Sequence, residues 1–208
     1  MKIVGINGSP RKNQATGTLL SVALLRASEC GAETEQVELS EYNMTPCDGC
    51  QICFFKEECP KDTDDIPTIA EKLLSAQGVI LASPTYMMNV SSLMKIMMER
   101  LRPKKMVHPR FVGKVGSAIT VAGLRNGGQE ITLLMLVNYL LNQGFIVVGP
   151  LNEKNRLTNT LGVAGTLYET RQEGKIRWRK DIKTDEIAVE AAEGLGENMA
   201  ELVKRLFG

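Results

Sequence analysis

The sequence predicts an α/β fold: a doubly wound, five-stranded parallel sheet with helices on both faces and a cysteine-rich loop inserted after the second strand. Three observations predict it. Short apolar strands alternate with helix-period segments through Val148. Strand ends run into Gly-, Ser- and Asn-rich loops, and residues 40–65 show no period at all. Strands apolar enough to be buried on both sides need crossover helices, which makes the sheet parallel.

Taken in order, Lys2 to Ile6 is an apolar first strand. A Gly/Ser/Pro loop follows, then a helix from about Gly17 to Cys30, with Leu19, Leu20, Ala23, Leu24 and Ala27 at helical spacing. Cys30 sits near its end and reads as a small buried apolar side chain. Glu35 to Leu39 is the second strand, Ile66 to Ser75 the second helix and Gly78 to Ala82 the third strand. An apolar helix over about Ser91 to Leu101 carries a stripe of Leu93, Met94, Met97 and Met98, expected in the core or a subunit interface. A basic, proline-flanked connector precedes strand Val115 to Val121, helix Gln129 to Asn142 and strand Phe145 to Val148. The rest is more polar, with short strands at Gly165 to Thr170 and Lys175 to Arg179, and a last helix from an Asp185 N-cap to Phe207.

The 208 residues carry no linker or repeat, so a single domain is expected over 1–208, with a C-terminal extension over 151–208. The net charge of +1 gives no pull toward nucleic acid, and no apolar run is long enough to span a bilayer. The N-terminal residues lack an export pattern, so a cytoplasmic location is expected.

Four of the five cysteines form Cys47-x2-Cys50-x2-Cys53-x5-Cys59, followed by Pro60. Three thiolates at this spacing can wrap one [4Fe–4S] cube and the fourth can close it if the chain folds back. Gly49 permits the tight curvature. Zinc is the alternative, but its sites usually pair two C-x2-C knuckles about a dozen or more residues apart. Ile52, Phe54 and Phe55 are either an apolar shell for the cluster or plain loop packing.

After the first strand comes Asn7-Gly8-Ser9-Pro10-Arg11-Lys12-Asn13-Gln14-Ala15-Thr16-Gly17-Thr18. Ser9, Thr16 and Thr18 hydroxyls, the helix N-terminal amides and Arg11 suit a phosphate monoester. The segment has neither the P-loop arrangement nor the dinucleotide fingerprint. Two further loops follow strand ends: Ser83-Pro84-Thr85-Tyr86-Met87-Met88-Asn89, and Ala122 to Gln129 with Gly123, Asn126, Gly127 and Gly128. All three are expected along one sheet edge, where such folds bind ligands and where flavin mononucleotide is a typical occupant. Tyr86 and Met87 would pack on its ring system while loop amides bond its pyrimidine edge.

These residues resemble the iron-sulfur flavoproteins of anaerobic prokaryotes, within the NAD(P)H-dependent FMN reductase superfamily. The resemblance rests on Gly8-Ser9-Pro10-Arg11-Lys12, the four cysteines, Ser83-Pro84-Thr85-Tyr86, Gly127-Gly128-Gln129-Glu130, Asp185-Glu186, Glu190-Ala191-Ala192 and Leu195-Gly196. It implies a flavodoxin-like fold, FMN and a [4Fe–4S] cluster in each subunit, ferredoxin as electron donor, and a homodimer or homotetramer in which a cluster approaches a neighbour's flavin. Where that family often has an Asn-Thr pair this chain has Ala15-Thr16, leaving Thr18 or Asn13 to supply the contact.

The expected function is electron transfer from such a donor through the cluster to FMN and on to an acceptor the sequence does not name, with no catalytic nucleophile. Two alternatives keep less of this: an NAD(P)H-dependent FMN or quinone reductase, and a non-enzymatic redox-sensing metal-binding module. His108, the one histidine, reads as a surface residue without a carboxylate nearby. Arg100, Arg102, Lys104, Lys105, Arg110 and Lys114 form a basic stretch, read as a solvated loop or as a docking face for an acidic ferredoxin or a nicotinamide phosphate.

Overall fold

A computed structural model describes residues 1–154, 156 and 161–208. In chain order it contains β1 (Lys2–Asn7), α1 (Ala15–Glu29), β2 (Glu33–Glu38), α2 (Ile66–Ser75), β3 (Gly78–Pro84), α3 (Ser92–Arg100) and α4 (Pro103–Met106). There follow β4 (Val115–Ala122), α5 (Gln129–Asn142), β5 (Ile146–Val147), β6 (Val163–Thr166), β7 (Tyr168–Gln172), β8 (Lys175–Trp178) and α6 (Glu186–Phe207). The parallel sheet has the order β2-β1-β3-β4-β5, so the strand order reverses beside β1, between β1 and β3.

Side chains alternate across each strand, as the pleat requires, and each face is sealed by helices. Ile3, Ile80, Ile119 and Val121 face α1 and α6, packing with Leu19, Leu20, Ala23, Leu195 and Met199. Val4, Ile6, Val79 and Leu81 point the other way, against Ile69 and Leu73 of α2, Met94 and Met97 of α3, and Leu133, Leu136 and Leu140 of α5. The methionine stripe is therefore core at Met94 and Met97, both fully buried, with Leu93 and Met98 partly covered. Helix α6 lies so close to α1 that a Cβ at Gly196 would stand 2.1 Å from the Ala23 carbonyl oxygen. Asp185 caps α6 through Ala188 N–H and also accepts from Thr166 N–H, which ties the last helix to the sheet edge.

Several expectations are corrected. The sheet edge holds a sixth strand: β5 pairs only with Val115 and Gly116, and β6 takes over beside Ile119 to Ala122. A two-residue β5 does not extend to the ligand-facing half of β4, and β6 supplies the partner there. The strand expected at Gly165 to Thr170 is split between β6 and β7, and β7 forms an antiparallel hairpin with β8 instead of joining the sheet. Cys30 is exposed, not buried, because α1 ends at Glu29 and the chain turns off its inner face into left-handed Gly31, φ +92°. Among the described residues, no helix is long and apolar enough to cross a membrane.

Candidate functional site: a cysteine pocket and three strand-end loops

The four clustered cysteines all line one small cavity with Asp48, Lys61, Arg100 and Arg102, and none forms a disulfide. Cys53 is buried in a short 3₁₀ turn, Ile52–Phe54; Cys47 and Cys59 are partly covered and Cys50 is exposed. Left-handed backbone at Gly49 (φ +71°) and at Gln51 (φ +65°) bends the segment so that successive thiols face inward. Gly49 N–H donates to Cys47 Sγ at 3.4 Å, and Cys59 N–H to Asp62 Oδ2 at 3.0 Å. Cys50 N–H donates to Asp48 Oδ1 and holds that carboxyl below its usual range, with Lys61 adding to the effect.

A single zinc ion with Zn–S of about 2.3 Å would draw thiol sulfurs to within about 3.8 Å of one another. Among the described residues no group of three or more His, Cys, Asp or Glu side chains is gathered for a single ion. Four thiols distributed around one cavity fit a wider body, as an iron-sulfur cube is.

What holds this loop in place is a residue of the basic stretch. Arg100, the last residue of α3, has a side chain with no exposed surface. Its guanidinium donates to Thr45 O (2.8 Å) and Thr45 Oγ1 (3.0 Å) before the cysteines, and to Asp62 Oδ1 (3.0 Å) and Asp64 Oδ2 (2.6 Å) after them. Burial works against the Asp64 charge, but the Arg100 guanidinium and Thr45 donors outweigh it and hold the carboxyl down at about 2. Arg100 is likewise kept charged, against its burial, by Asp64.

The basic stretch is thus not a free solvated face. Arg102 lies 4.6 Å above the Phe54 ring, Lys104 Nζ donates to Glu57 O, and Lys114 Nζ donates to the Leu74 and Ala76 carbonyls at the end of α2. His108 does have a carboxylate near it, Glu57 at 3.9 Å, while remaining exposed. The aromatic residues do not shield the cavity: Phe55 is 84% exposed and Phe54 is covered by Arg102 instead.

At the C-terminal edge of the sheet the three expected loops meet. Ser91 Oγ, which caps α3 at Met94 N–H, donates to Gly8 O, joining the first loop to the second. Thr85 N–H donates to Val121 O and the Thr85 and Thr120 hydroxyls share a hydrogen bond, joining the second to β4. Gly128, φ +97°, lets the third loop approach Met88, to which a Cβ would come within 2.8 Å.

In the first loop Ser9 is buried, its N–H bonded to Asn7 Oδ1 and its hydroxyl closing the turn on Arg11. Helix α1 starts two residues earlier than expected, which puts Thr16 and Thr18 inside its first turn. Thr16 is buried there, and Thr18 Oγ1 donates back to Gln14 O. No side chain caps the start of α1, so its first amides stay available to an anion, beside Arg11 and left-handed Asn13.

In the second, Pro84 ends β3 and Tyr86 pairs with Asn89 across a turn that forces Met87 (φ +50°) and Met88 (φ +61°) into left-handed backbone. Such conformations cost about 1–3 kcal/mol each in non-glycine residues and are concentrated at ligand sites. Met87 stands 97% exposed and Tyr86 41% exposed at the tip. In the third, a Cβ on Gly127 would stand 2.8 Å from Leu124 O, Asn126 is left-handed, and Gln129 Oε1 is buried without a partner among the described residues. An orphaned buried acceptor beside a loop of free amides fits a ligand that carries both donors and acceptors, as a flavin pyrimidine edge does.

Four contributors are missed by the sequence reading because they lie in the extension. Arg179, Lys180 and Lys183 line one cleft with Arg11, Asn13, Gln14, Ala15 and Thr18, and the buried Nε of Arg179 has no partner among the described residues. Trp178 packs 3.8 Å from where a Cβ on Gly123 would be. The signal was the run Lys175, Arg177, Arg179, Lys180 and Lys183, whose cations are far from the first loop in sequence.

Residues 1–152 match the NADPH-dependent FMN reductase family. The chain is 39% identical over 204 residues to an iron-sulfur flavoprotein of Methanocaldococcus jannaschii, covering 98% of each. In structure it is similar to RosB solved with a bound riboflavin-phosphate intermediate, with a TM-score of 0.76 at 16% identity, covering 99% of this chain and 80% of that one. It is also similar to a flavodoxin from the domain Archaea, with a TM-score of 0.57 at 14% identity over 98% and 99% of the two chains. At such identities the two structures speak for the flavodoxin-like fold alone.

Proposed function

Because the chain belongs to the NADPH-dependent FMN reductase family and, within it, to the iron-sulfur flavoproteins, we propose that it is an electron-transfer flavoprotein carrying FMN and a [4Fe–4S] cluster. In this reading electrons come from a donor such as ferredoxin through the cluster to FMN and leave to an acceptor of still open identity. The observation that carries it is the convergence of Cys47, Cys50, Cys53 and Cys59 on one cavity, free of disulfides, in a chain whose sheet edge presents three linked loops.

The two groups, when bound, supply one-electron and paired-electron exchange respectively. The protein's share is to bind and orient them. Arg11, Asn13 and Thr18, with the open amides of α1 and the cations Arg179 and Lys183, form the phosphate end; buried Thr16 and the Ser9 hydroxyl shape that turn from within. Gly123, Asn126, Gly127 and Gly128 offer backbone amides near the ring, Thr85 and Asn89 shape the second loop through their bonds to Val121 and Tyr86, and Tyr86 and Met87 cover the ring. A cytoplasmic homodimer or homotetramer belongs to the same reading; exposed Met87, Phe55 and Leu134 are apolar surface of the kind a second copy covers.

Anaerobic purification followed by iron, acid-labile sulfide and FMN quantification tests the proposal. Four iron, four sulfide and one FMN per chain are expected; stoichiometric zinc without sulfide overturns it. The family match favours one rival, direct reduction by NADPH. Anaerobic stopped-flow with NADPH against reduced ferredoxin separates the two, since rapid flavin reduction by NADPH alone sinks the ferredoxin-first version.

A further inference from the structure

Arg100 has more donors than its partners use. Its terminal nitrogens take Thr45, Asp62 and Asp64, while Nε is buried with no partner among the described residues. An unmade bond from a buried charged donor is costly, so an orphan at a side chain with no exposed surface calls for an acceptor. Arg100 lines the same cavity as the four thiols, and the Cys59 group is near enough to favour its positive charge. The cysteine sulfurs are four of the acceptors that line it.

We propose that the Arg100 Nε–H donates a hydrogen bond to a cluster sulfur on the Cys59 side, so that one residue both ties the cysteine loop to α3 and sets the cluster's reduction potential. This rests on the cluster reading above. Reduction adds one electron to a site already negative from four thiolates, with no bond made or broken. A cationic donor on sulfur therefore stabilises the reduced form more than the oxidised form and raises the potential. Arg100 acts as a positioning and tuning residue; it leaves the ligation to the cysteines.

The test is an anaerobic redox titration of the holoprotein, following the reduced cluster by electron paramagnetic resonance, in the wild type, Arg100→Gln, Arg100→Lys and Asp64→Asn. Arg100→Gln is expected to disfavour reduction about tenfold, which is 59 mV downward for one electron. Arg100→Lys, which keeps the charge but not the forked donor set, recovers part of that shift. Asp64→Asn loosens the loop yet removes a negative charge, so its shift is upward. If looseness alone governed the potential, both variants would move the same way, and that result overturns the proposal. So does a potential within twofold of wild type in a fully loaded Arg100→Gln.

Should Arg100→Gln take up no cluster, the wild type labelled with [15N]arginine decides. A 15N coupling to the reduced cluster supports the hydrogen bond, and its absence in a fully loaded protein refutes it. A wild type without iron and sulfide fails the cluster reading itself; a fully loaded wild type without the 15N coupling fails only this inference.

Discussion

Replacing Asp64 by Asn should loosen the cysteine loop by an amount the geometry lets one work out. Asp64 Oδ2 accepts from Arg100, Thr45 N–H and Thr45 Oγ1, and Oδ1 accepts from Ile66 N–H at the start of α2. Asn keeps one acceptor oxygen and turns an NH₂ toward donors. Removing one partner of a buried ion pair typically costs about 3–5 kcal/mol, and Asp62 at 3.0 Å still compensates part of the Arg100 charge, so about 3 kcal/mol is expected. The linkage argument gives an independent floor. A carboxyl held at about 2 against an ordinary 3.8 contributes about 2 kcal/mol at neutral pH.

The sign is fixed, because a depressed pKa stabilises the folded state above the ordinary value, and that contribution is lost as pH falls toward about 2. The assay is urea unfolding of iron-free wild type and variant side by side, at pH 7 and pH 3. With a slope of about 2–3 kcal/mol per molar, the midpoint should drop by about 1 M at pH 7. About 1 kcal/mol of the gap should be gone at pH 3. A gap under about 1 kcal/mol at pH 7, or one that widens on acidification, refutes the reasoning.

Cys53→Ser should abolish cluster uptake while leaving FMN in place, because no cysteine of the pocket lies in the three strand-end loops; an iron-to-FMN ratio near zero with full yellow absorbance is expected. Arg179→Gln should weaken FMN about tenfold, or about 1.4 kcal/mol, and leave riboflavin affinity unchanged, as fluorescence titration would show; equal weakening of both would place Arg179 away from the phosphate. Gly196→Ala drives a methyl into the Ala23 carbonyl at the α1–α6 crossing, costs about 2–3 kcal/mol and should lower Tm by about 5–10 °C in differential scanning calorimetry.

The local sequence pattern was enough for the second and fifth helices, Ile66–Ser75 and Gln129–Asn142, whose bounds match the apolar period. It was enough too for the strand alternation, since buried parallel strands read as apolar runs bounded by turn residues. The cysteine spacing indicated a common ligand because three thiols two residues apart can reach one body whatever surrounds them. These are properties of neighbours in the chain. From sequence Arg100 is one cation among six in a basic stretch, and only the folding back of residues 45 and 62–64 onto the end of α3 buries it and gives it partners 36 to 55 residues away. Arg179 and Trp178 reach the first and third loops for the same kind of reason: the β7–β8 hairpin lies over the sheet edge, a placement set by β6 completing β4. Conversely, Phe54 and Phe55 read equally as an apolar shell or as loop packing, and the turn that buries Cys53 leaves them facing out. Local pattern is enough for the main strands and helices and for the thiols that share a site; which charges flank that site follows from the tertiary fold, because a side chain's electrostatic surroundings depend on segments that its own neighbours in sequence do not encode.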